Sequence, residues 1–206
     1  MLSSHQWGCA GLAKFCAGMD LPPPVTKKAY NQHMKKIQKS SINNAEQLMC
    51  DAAERLTNLV SSEEEDCVVE INGQKATKVA VSMDGTWQKR GLSSKIGVVF
   101  AVSVRKGEVL DYEVKSLICK ECSLHKQSPD YLAWKESHRR HCEVNHQGSS
   151  EEMESLGAID INSCSIEKRK VMYSTFVNDG DSSCFGKVKA KMEELYGESY
   201  PVVKEE

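Results

Sequence analysis

The chain has 206 residues, of which 40% are hydrophobic and 27% are charged, a balance typical of a soluble globular protein. No apolar run approaches the ~20 residues that cross a bilayer, and the N-terminus lacks the basic and apolar regions of a signal peptide. These features exclude membrane-spanning and secreted classes, so we expect the chain to stay inside the cell. Its net charge of −2 gives no overall argument for nucleic-acid binding, and any DNA contact has to come from local basic patches.

The first 66 residues are interpreted as a basic, helical N-terminal extension. The prolines at 22–24 interrupt the chain and a lysine-rich stretch follows them, so residues 1–43 are expected to be irregular or weakly helical. A helix is predicted at about 45–59, where apolar residues recur at helical spacing. These residues are Ala45, Leu48, Met49, Ala52 and Leu56. The acidic run Ser61–Asp66 is predicted to be a solvated loop that ends the extension.

From Ala76 onwards the apolar period changes to that of β-strands. Three strands are predicted at about 76–84, 95–104 and 108–118, and their short connections make them an antiparallel meander. The apolar faces consist of Val79, Val81 and Met83, then Ile96, Val98, Phe100 and Val102, and finally Leu110, Tyr112 and Val114. The third strand is expected to be half exposed, with its charged residues facing solvent.

The rest of the chain predicts two helices and two strands. Ser149 and Glu152 form a capping box for the first helix, and a strand follows at Val171–Val177. The second helix begins at Ser182 or Ser183. Its inner face is predicted to be Phe185, Val188, Met192, Leu195 and Tyr196. A last strand begins within residues 200–204, so the sequence predicts an α/β protein with a mixed sheet.

Acidic residues follow two strands of this pattern. Asp84 ends the first strand, and Asp179 and Asp181 lie in the turn after Val171–Val177. These two strands are neighbours in an RNase H-like sheet, so their carboxylates can meet there. Mg²⁺ or Mn²⁺ prefers such oxygen ligands, and paired ions support phosphodiester chemistry. The alternative interpretation is that these aspartates are ordinary turn or cap residues.

The polar segment 119–146 is rich in cysteine and histidine and is interpreted as a zinc-binding insertion. Cys119 and Cys122 have the spacing of a zinc knuckle, and Cys142 follows after nineteen residues. His138 is the first choice for the fourth Zn²⁺ ligand, because His-x₃-Cys spacing places both residues on one helical face. His146 is the second choice. The less favoured histidines are His125 and His141. The alternative is that the thiols are reduced surface or packing cysteines.

Three stretches of the sequence resemble Mutator-like transposase domains. They are AVSMDGTWQKRGLSSKIGVVFAVSVRKGEVLDYEVKSLICKEC, WKESHRRHCEVNHQGSSEEMES and FVNDGDSS, and together they cover roughly residues 76–203. The resemblance implies an RNase H-like fold whose catalytic triad contains two aspartates and a glutamate. The first aspartate of the triad falls on Asp84. The second falls on Asp179, which directly follows the strand, with Asp181 as a close second choice.

The resemblance also implies a function and a division of the chain. It implies a DNA transposase that cuts and joins DNA strands with Mg²⁺ and whose partners are transposon ends and target DNA. It also implies a nuclear location without membrane association. Whether the protein forms a homo-oligomer is left open. The glutamate of the triad lies beyond Glu206 in this family, so residues 67–206 are expected to be an incomplete, inactive RNase H-like domain after the 1–66 extension. The alternative is a non-catalytic, transposon-derived module that binds DNA or protein through its zinc insertion.

Overall fold

The computed structural model of the chain describes residues 8–63, 66–88, 94–177, 182–197, 200 and 202–205. Its helices are α1 (Cys9–Gly18), α2 (Lys27–Glu63), α3 (Lys120–His125), α4 (Tyr131–His138), α5 (Ser150–Arg169) and α6 (Ser182–Tyr196), with a 3₁₀ turn at Arg139–His141. Its strands are β1 (Val68–Ile71), β2 (Gln74–Trp87), β3 (Ile96–Ser103), β4 (Val109–Ser116), β5 (Val171–Val177) and β6 (Val203–Glu205). Two compact units, Met1–Leu48 and Met49–Glu206, divide the chain. No helix within the described ranges is both long enough and apolar enough to cross a membrane.

The strands form one mixed sheet in the order β4-β3-β2-β5-β6. The predicted meander is confirmed, because β2, β3 and β4 pair antiparallel in sequence order. On the other side of β2, β5 runs parallel to it and β6 runs parallel to β5. The chain therefore crosses over between β4 and β5, as a parallel pairing requires, and α5 lies in that crossover.

The first part of β2 forms a hairpin with β1, which the apolar pattern did not predict. Asn72 and Gly73 make the two-residue turn, and both have positive φ, at 51° and 76°. Asn and Gly adopt this backbone conformation more readily than other residues, which is why such a pair favours a tight hairpin. The strand β2 is 14 residues long and pairs first with β1 and then with β3.

The core is formed by the sheet, the helices α5 and α6 and the second half of α2. The apolar set on β2 is buried as predicted, with Val81 fully enclosed. Helix α5 begins with the predicted capping box, in which Ser149 and Glu152 each bond the other's backbone. It ends at Lys170, whose left-handed backbone (φ 58°) stops the helix just before β5. Helix α6 is also confirmed, but Leu195, predicted on its inner face, is exposed.

The predicted orientation of β4 is confirmed for Leu110, which is fully buried, but is wrong for the rest of the strand. Asp111 and Lys115 are buried and Val114 is exposed, although the alternation placed Val114 on the inner face. Two partners on α5 explain this: the Arg169 guanidinium lies 3.3 Å from the Asp111 carboxylate, and Lys115 pairs with Asp160. A register shift between Ala101 and Val102 of β3 also leaves both Leu110 and Asp111 buried.

Helix α2 is much longer than the segment predicted at 45–59. It begins at Lys27, where the Thr26 hydroxyl accepts a hydrogen bond from the Ala29 amide at 3.3 Å, and it continues to Glu63 into the predicted acidic loop. Its first half is largely exposed and therefore shows no apolar period. Lysine, glutamine and methionine have high intrinsic helix propensity, which favours a helix there without burial. Burial begins at Met49, in the second compact unit.

Candidate metal centre

The C-terminal ends of β2 and β5 lie at the same edge of the sheet, because the two strands are parallel neighbours. Asp84 is exposed in β2, but the strand continues for three more residues to Trp87, so the predicted strand end at Asp84 is wrong. Met83, the residue before it, points towards α5 and contacts the Asn162 amide, so Asp84 faces the other side of the sheet. Asp179 and Asp181 lie outside the described residues. Their proximity to Asp84 therefore stays a prediction.

Residues 119–146, here called the metal module, leave the sheet after β4 and return to it before α5. Helices α3 and α4 and the 3₁₀ turn form its body. Asn145 closes its base: its side-chain oxygen accepts from the Ser116 amide and its side-chain nitrogen donates to the Val114 carbonyl, both at 2.7 Å. The Asn145 amide also donates to the Ser116 carbonyl at 3.1 Å. The module is therefore attached to the end of β4 at both of its ends.

Four side chains of the module converge on one point. The ligand atoms of Cys119, Cys122, His138 and Cys142 all lie within 4.8 Å of one another. The Cys119 sulfur is 3.3 Å from His138 Nε2, and the sulfurs of Cys122 and Cys142 are 3.6 Å apart. Two sulfurs bound to one tetrahedral zinc ion, each at about 2.3 Å, are separated by about 3.8 Å. The group can therefore hold a metal ion such as zinc.

The paths of the chain explain why these four residues meet. Cys119 precedes α3 and Cys122 lies in its first turn, while His138 ends α4. The interval from His138 to Cys142 was predicted to be α-helical, but a 3₁₀ turn carries the chain to Cys142, which is extended. The 3₁₀ turn is tighter than an α-helix, and it brings the Cys142 sulfur beside Cys122.

The electrostatic surroundings of the thiols differ within the cluster. Burial works against a charged Cys119, but hydrogen bonds from the backbone of Cys122 and Glu143, and from the His138 side chain, lower its pKa to about 6. At Cys122, burial and then the nearby thiols of Cys142 and Cys119 raise the pKa to about 11. Cys119 is therefore prepared as a thiolate, whereas Cys122 needs the positive charge of a metal to ionise.

Two neighbours hold the imidazole of His138. The Glu121 carboxylate lies 3.3 Å from Nδ1, the ring nitrogen that does not face the cysteines. The Trp134 indole stacks on the imidazole with the ring centres 4.4 Å apart, and the His125 ring also stacks on the indole, at 4.0 Å. A carboxylate on the second ring nitrogen is a common support of metal-bound histidine, because it fixes the tautomer and the ring orientation.

The structure does not place His146 in this cluster. His146 is buried, and its Nε2 lies 2.8 Å from the Ser149 carbonyl oxygen at the start of α5. Its backbone amide donates to Ser116. His125 forms the outer layer of the stack, and its Nδ1 contacts the Glu121 carbonyl oxygen at 3.1 Å. No disulfide joins any of the nine cysteines, all of which lie within the described residues, and the six outside the cluster are dispersed over the helices α1, α2, α5 and α6 and the residue before β1.

Sequence reasoning missed three residues that build the centre. Glu121 lies between the two cysteines of the knuckle, and a metal-ligand spacing gives no signal for it. Trp134 precedes His138 by one helical turn, and this i, i+4 spacing could have identified the stack. Asn145 carried no pattern at all, because its partners are backbone groups of β4.

Comparison with protein families supplies one match, to the family of Mutator-like transposases over residues 2–206. This match extends the resemblance seen in residues 76–203 to nearly the whole chain. Comparison with curated proteins and with solved structures gave no match.

Proposed function

Because the chain belongs to the Mutator-like transposase family, we propose that it is part of a DNA transposase domain that acts on DNA strands with Mg²⁺ or Mn²⁺. The observation that carries the proposal is the parallel pairing of β2 with β5. It places the C-terminal end of β2, near which Asp84 lies, and the C-terminal end of β5 at one edge of the sheet. Carboxylates from adjacent strand ends are the ligands expected of a magnesium-dependent phosphodiester site.

The strand arrangement supports an RNase H-like fold for this domain. Three antiparallel strands are followed by a helical crossover and by parallel strands on the other side of β2. The register also favours one of the two aspartates predicted after β5. Val81 pairs with Phe176, and Asp84 and Asp179 each follow three residues later in the sequence. We therefore propose Asp84 and Asp179 as the carboxylate pair, with Asp181 as the second choice.

The chain's own residues have limited tasks in this site. The exposed carboxylate of Asp84 binds and orients a cation at the sheet edge, and Asp179 supplies the second set of oxygens. The cation provides charge stabilisation of the phosphodiester. We propose that the 206 residues do not cleave DNA by themselves, because two ions flanking a scissile phosphate require more ligands than two aspartates offer.

Cation binding tests the carboxylate assignment. Mn²⁺ should broaden the NMR amide signals of Asp84 and Val177 in the wild-type chain, and Asp84→Asn should abolish that broadening. The matched control is Asp66→Asn, which removes another exposed carboxylate, two residues before β1. Broadening that survives Asp84→Asn, or that disappears in the Asp66 variant, would contradict the assignment.

Nicking of supercoiled plasmid tests the proposed inactivity. The purified chain and its Asp84→Ala variant should both give only background nicking with Mg²⁺ or Mn²⁺. Cleavage by the wild-type chain that is lost in the variant would overturn the proposal of inactivity and would at the same time support Asp84 as a ligand. Equal cleavage by both proteins would identify a contaminating nuclease.

We also propose zinc as the metal of the module, because three thiols and one imidazole form a donor set that prefers it. Metal analysis of the reduced, folded chain should give about one zinc per chain. Cys119→Ser/Cys122→Ser should lose the zinc while the circular dichroism of the sheet is retained, because Asn145 still closes the base of the module. Folded wild-type protein without zinc would refute the assignment.

The metal module also favours a second function, that of a non-catalytic, transposon-derived module that binds DNA or protein. The observation behind it is the four-ligand cluster itself, which is complete within the described residues. The two functions differ at Asp84. A chain that holds zinc but shows no Mn²⁺ binding at Asp84 would support the binding module and not the transposase domain.

A further inference from the structure

The metal module projects from the same edge of the sheet as Asp84. The register aligns Trp87, at the end of β2, with Gly97 at the start of β3, and Gly97 with Lys115 near the end of β4. The module begins four residues after Lys115 and is fixed to Ser116 by Asn145. Two strand spacings, about 10 Å, separate β4 from β2 within this edge. A ligand held by the module can therefore reach the end of β2.

A groove of about 540 Å³ runs along the module between α4 and the returning segment. Its lining consists of Cys122, Tyr131, Leu132, Lys135, Glu136, Arg139, Cys142, Val144 and Gln147. Lys135 and Arg139 lie one helical turn apart on its rim, and the Lys135 ammonium is 5.8 Å from the centre of the Tyr131 ring. The side chain of Arg139 is 80% exposed, and its Glu136 partner is as distant as 3.7 Å. The charged groups that line the groove are therefore accessible to a ligand.

We propose that this groove binds the phosphate backbone of DNA and guides the strand towards the Asp84 edge, an inference that rests on DNA as the partner in the proposed function. The groove lining contains two cations, Lys135 and Arg139, and one anion, Glu136, and Arg140 adds another exposed cation beside Arg139. Phosphates along one DNA strand repeat at short intervals, so a row of cations one helical turn apart can engage successive phosphates. Tyr131 adds an aromatic face, the other feature of strand-binding grooves.

The metal centre and the groove share two residues. Cys122 and Cys142 belong to the metal cluster and also line the groove, one from α3 and the other from the segment after the 3₁₀ turn. A metal ion bound by both sulfurs therefore fixes the relative position of these two parts of the groove lining. Metal removal should weaken DNA binding without any change in the charges on the rim.

DNA affinity measured over a range of salt concentrations tests the proposal. The probe is a short fluorescein-labelled DNA duplex, and the readout is its fluorescence anisotropy on titration with the zinc-loaded chain. Lys135→Gln/Arg139→Gln should weaken binding and lower the slope of log affinity against log salt by about 2, because each lost phosphate contact removes about one unit. Metal chelation should weaken binding by wild type and have little further effect on this variant.

The matched control is Lys189→Gln/Lys191→Gln, which removes two cations from α6, where they pair with Glu193 and Glu194. It has the same change in net charge and should bind DNA as the wild type does. Equal loss in both double variants would overturn the proposal, because it would show a response to net charge alone. Preferential binding of polyglutamate to the groove would also overturn it, in favour of an acidic protein partner.

The Asp84→Asn variant separates this proposal from the proposed function. In a chain that carries Asp84→Asn, adding Lys135→Gln/Arg139→Gln should still lower the salt slope by about 2, because Asp84 does not line the groove. Loss of Mn²⁺ binding together with a retained effect of the groove variant on DNA binding supports both proposals. Groove-dependent DNA binding in a chain whose Asp84 binds no Mn²⁺ would leave the groove standing and refute the magnesium site. DNA binding that is independent of the groove, in a chain whose Asp84 binds Mn²⁺, would refute the groove and leave the magnesium site standing.

Discussion

Glu121 offers the most direct test of how the metal module is built. Its carboxylate lies 3.3 Å from Nδ1 of His138, and Glu121→Gln keeps the shape of the side chain while removing its charge. Loss of such a support typically lowers metal affinity 10–100-fold. Because the Glu121 side chain is 62% exposed, water weakens the interaction, and we expect the lower limit, about tenfold or ~1.4 kcal/mol of binding free energy.

A competition titration measures this effect. The zinc-loaded chain is titrated with a chromophoric zinc chelator of known affinity at neutral pH, and the zinc dissociation constant is compared between variants. The control is Glu136→Gln, a similarly exposed carboxylate of the same module that contacts Arg139 and no candidate ligand. If Glu121→Gln and Glu136→Gln give the same dissociation constant, the carboxylate does not act through His138 and the reasoning fails.

Three further predictions concern the domain that carries the site. Arg169→Met should lower the free energy of unfolding in urea by about 3–5 kcal/mol, because it leaves the buried Asp111 carboxylate without its cationic partner. Adding Asp111→Leu to this variant should restore much of the lost stability. Gly97→Ala should cost about 1–3 kcal/mol and shift the tryptophan fluorescence, because a Cβ there collides with the Trp87 ring, and an unchanged spectrum would contradict this packing. Burial raises the pKa of Tyr200 to about 12, above the value of about 10 in an unfolded chain. Part of the free energy of unfolding should therefore be lost as the pH rises from 10 to 12, and Tyr200→Phe should reduce that loss.

The strands and helices were predictable wherever the apolar period was determined by the sheet itself. β2 is the clearest case, since Val79, Val81 and Met83 face the core as their alternation predicts. β4 has the same alternation, but its orientation depends on Arg169 and Asp160, which lie 58 and 45 residues away in sequence. A local pattern contains no information about such partners. It therefore assigned the exposed Val114 to the core.

The cysteines of the candidate metal centre were predictable from the sequence. For the histidine ligand, His138 was preferred but His146 remained an alternative. Sequence spacing alone does not distinguish the two, because each is separated from Cys142 by three residues. The difference arises in three dimensions. The 3₁₀ turn after His138 brings its Nε2 to Cys119, whereas His146 bonds to Ser116 and to Ser149 at the start of α5. Backbone partners of this kind leave no trace in a spacing pattern.

The closed base of the metal module has a consequence for engineering this fold. The amide of Asn145 lies 3.1 Å from the carbonyl of Ser116, so the chain returns to the point where it left the sheet. The pairing of the strands does not depend on how many residues lie between Ser116 and Asn145. Doubling the length of such a loop costs only about 0.6 kcal/mol of closure entropy. A short turn grafted between Ser116 and Asn145 should therefore yield a soluble sheet domain without the module. Conversely, this junction should accept a foreign domain of any length whose own termini lie close together.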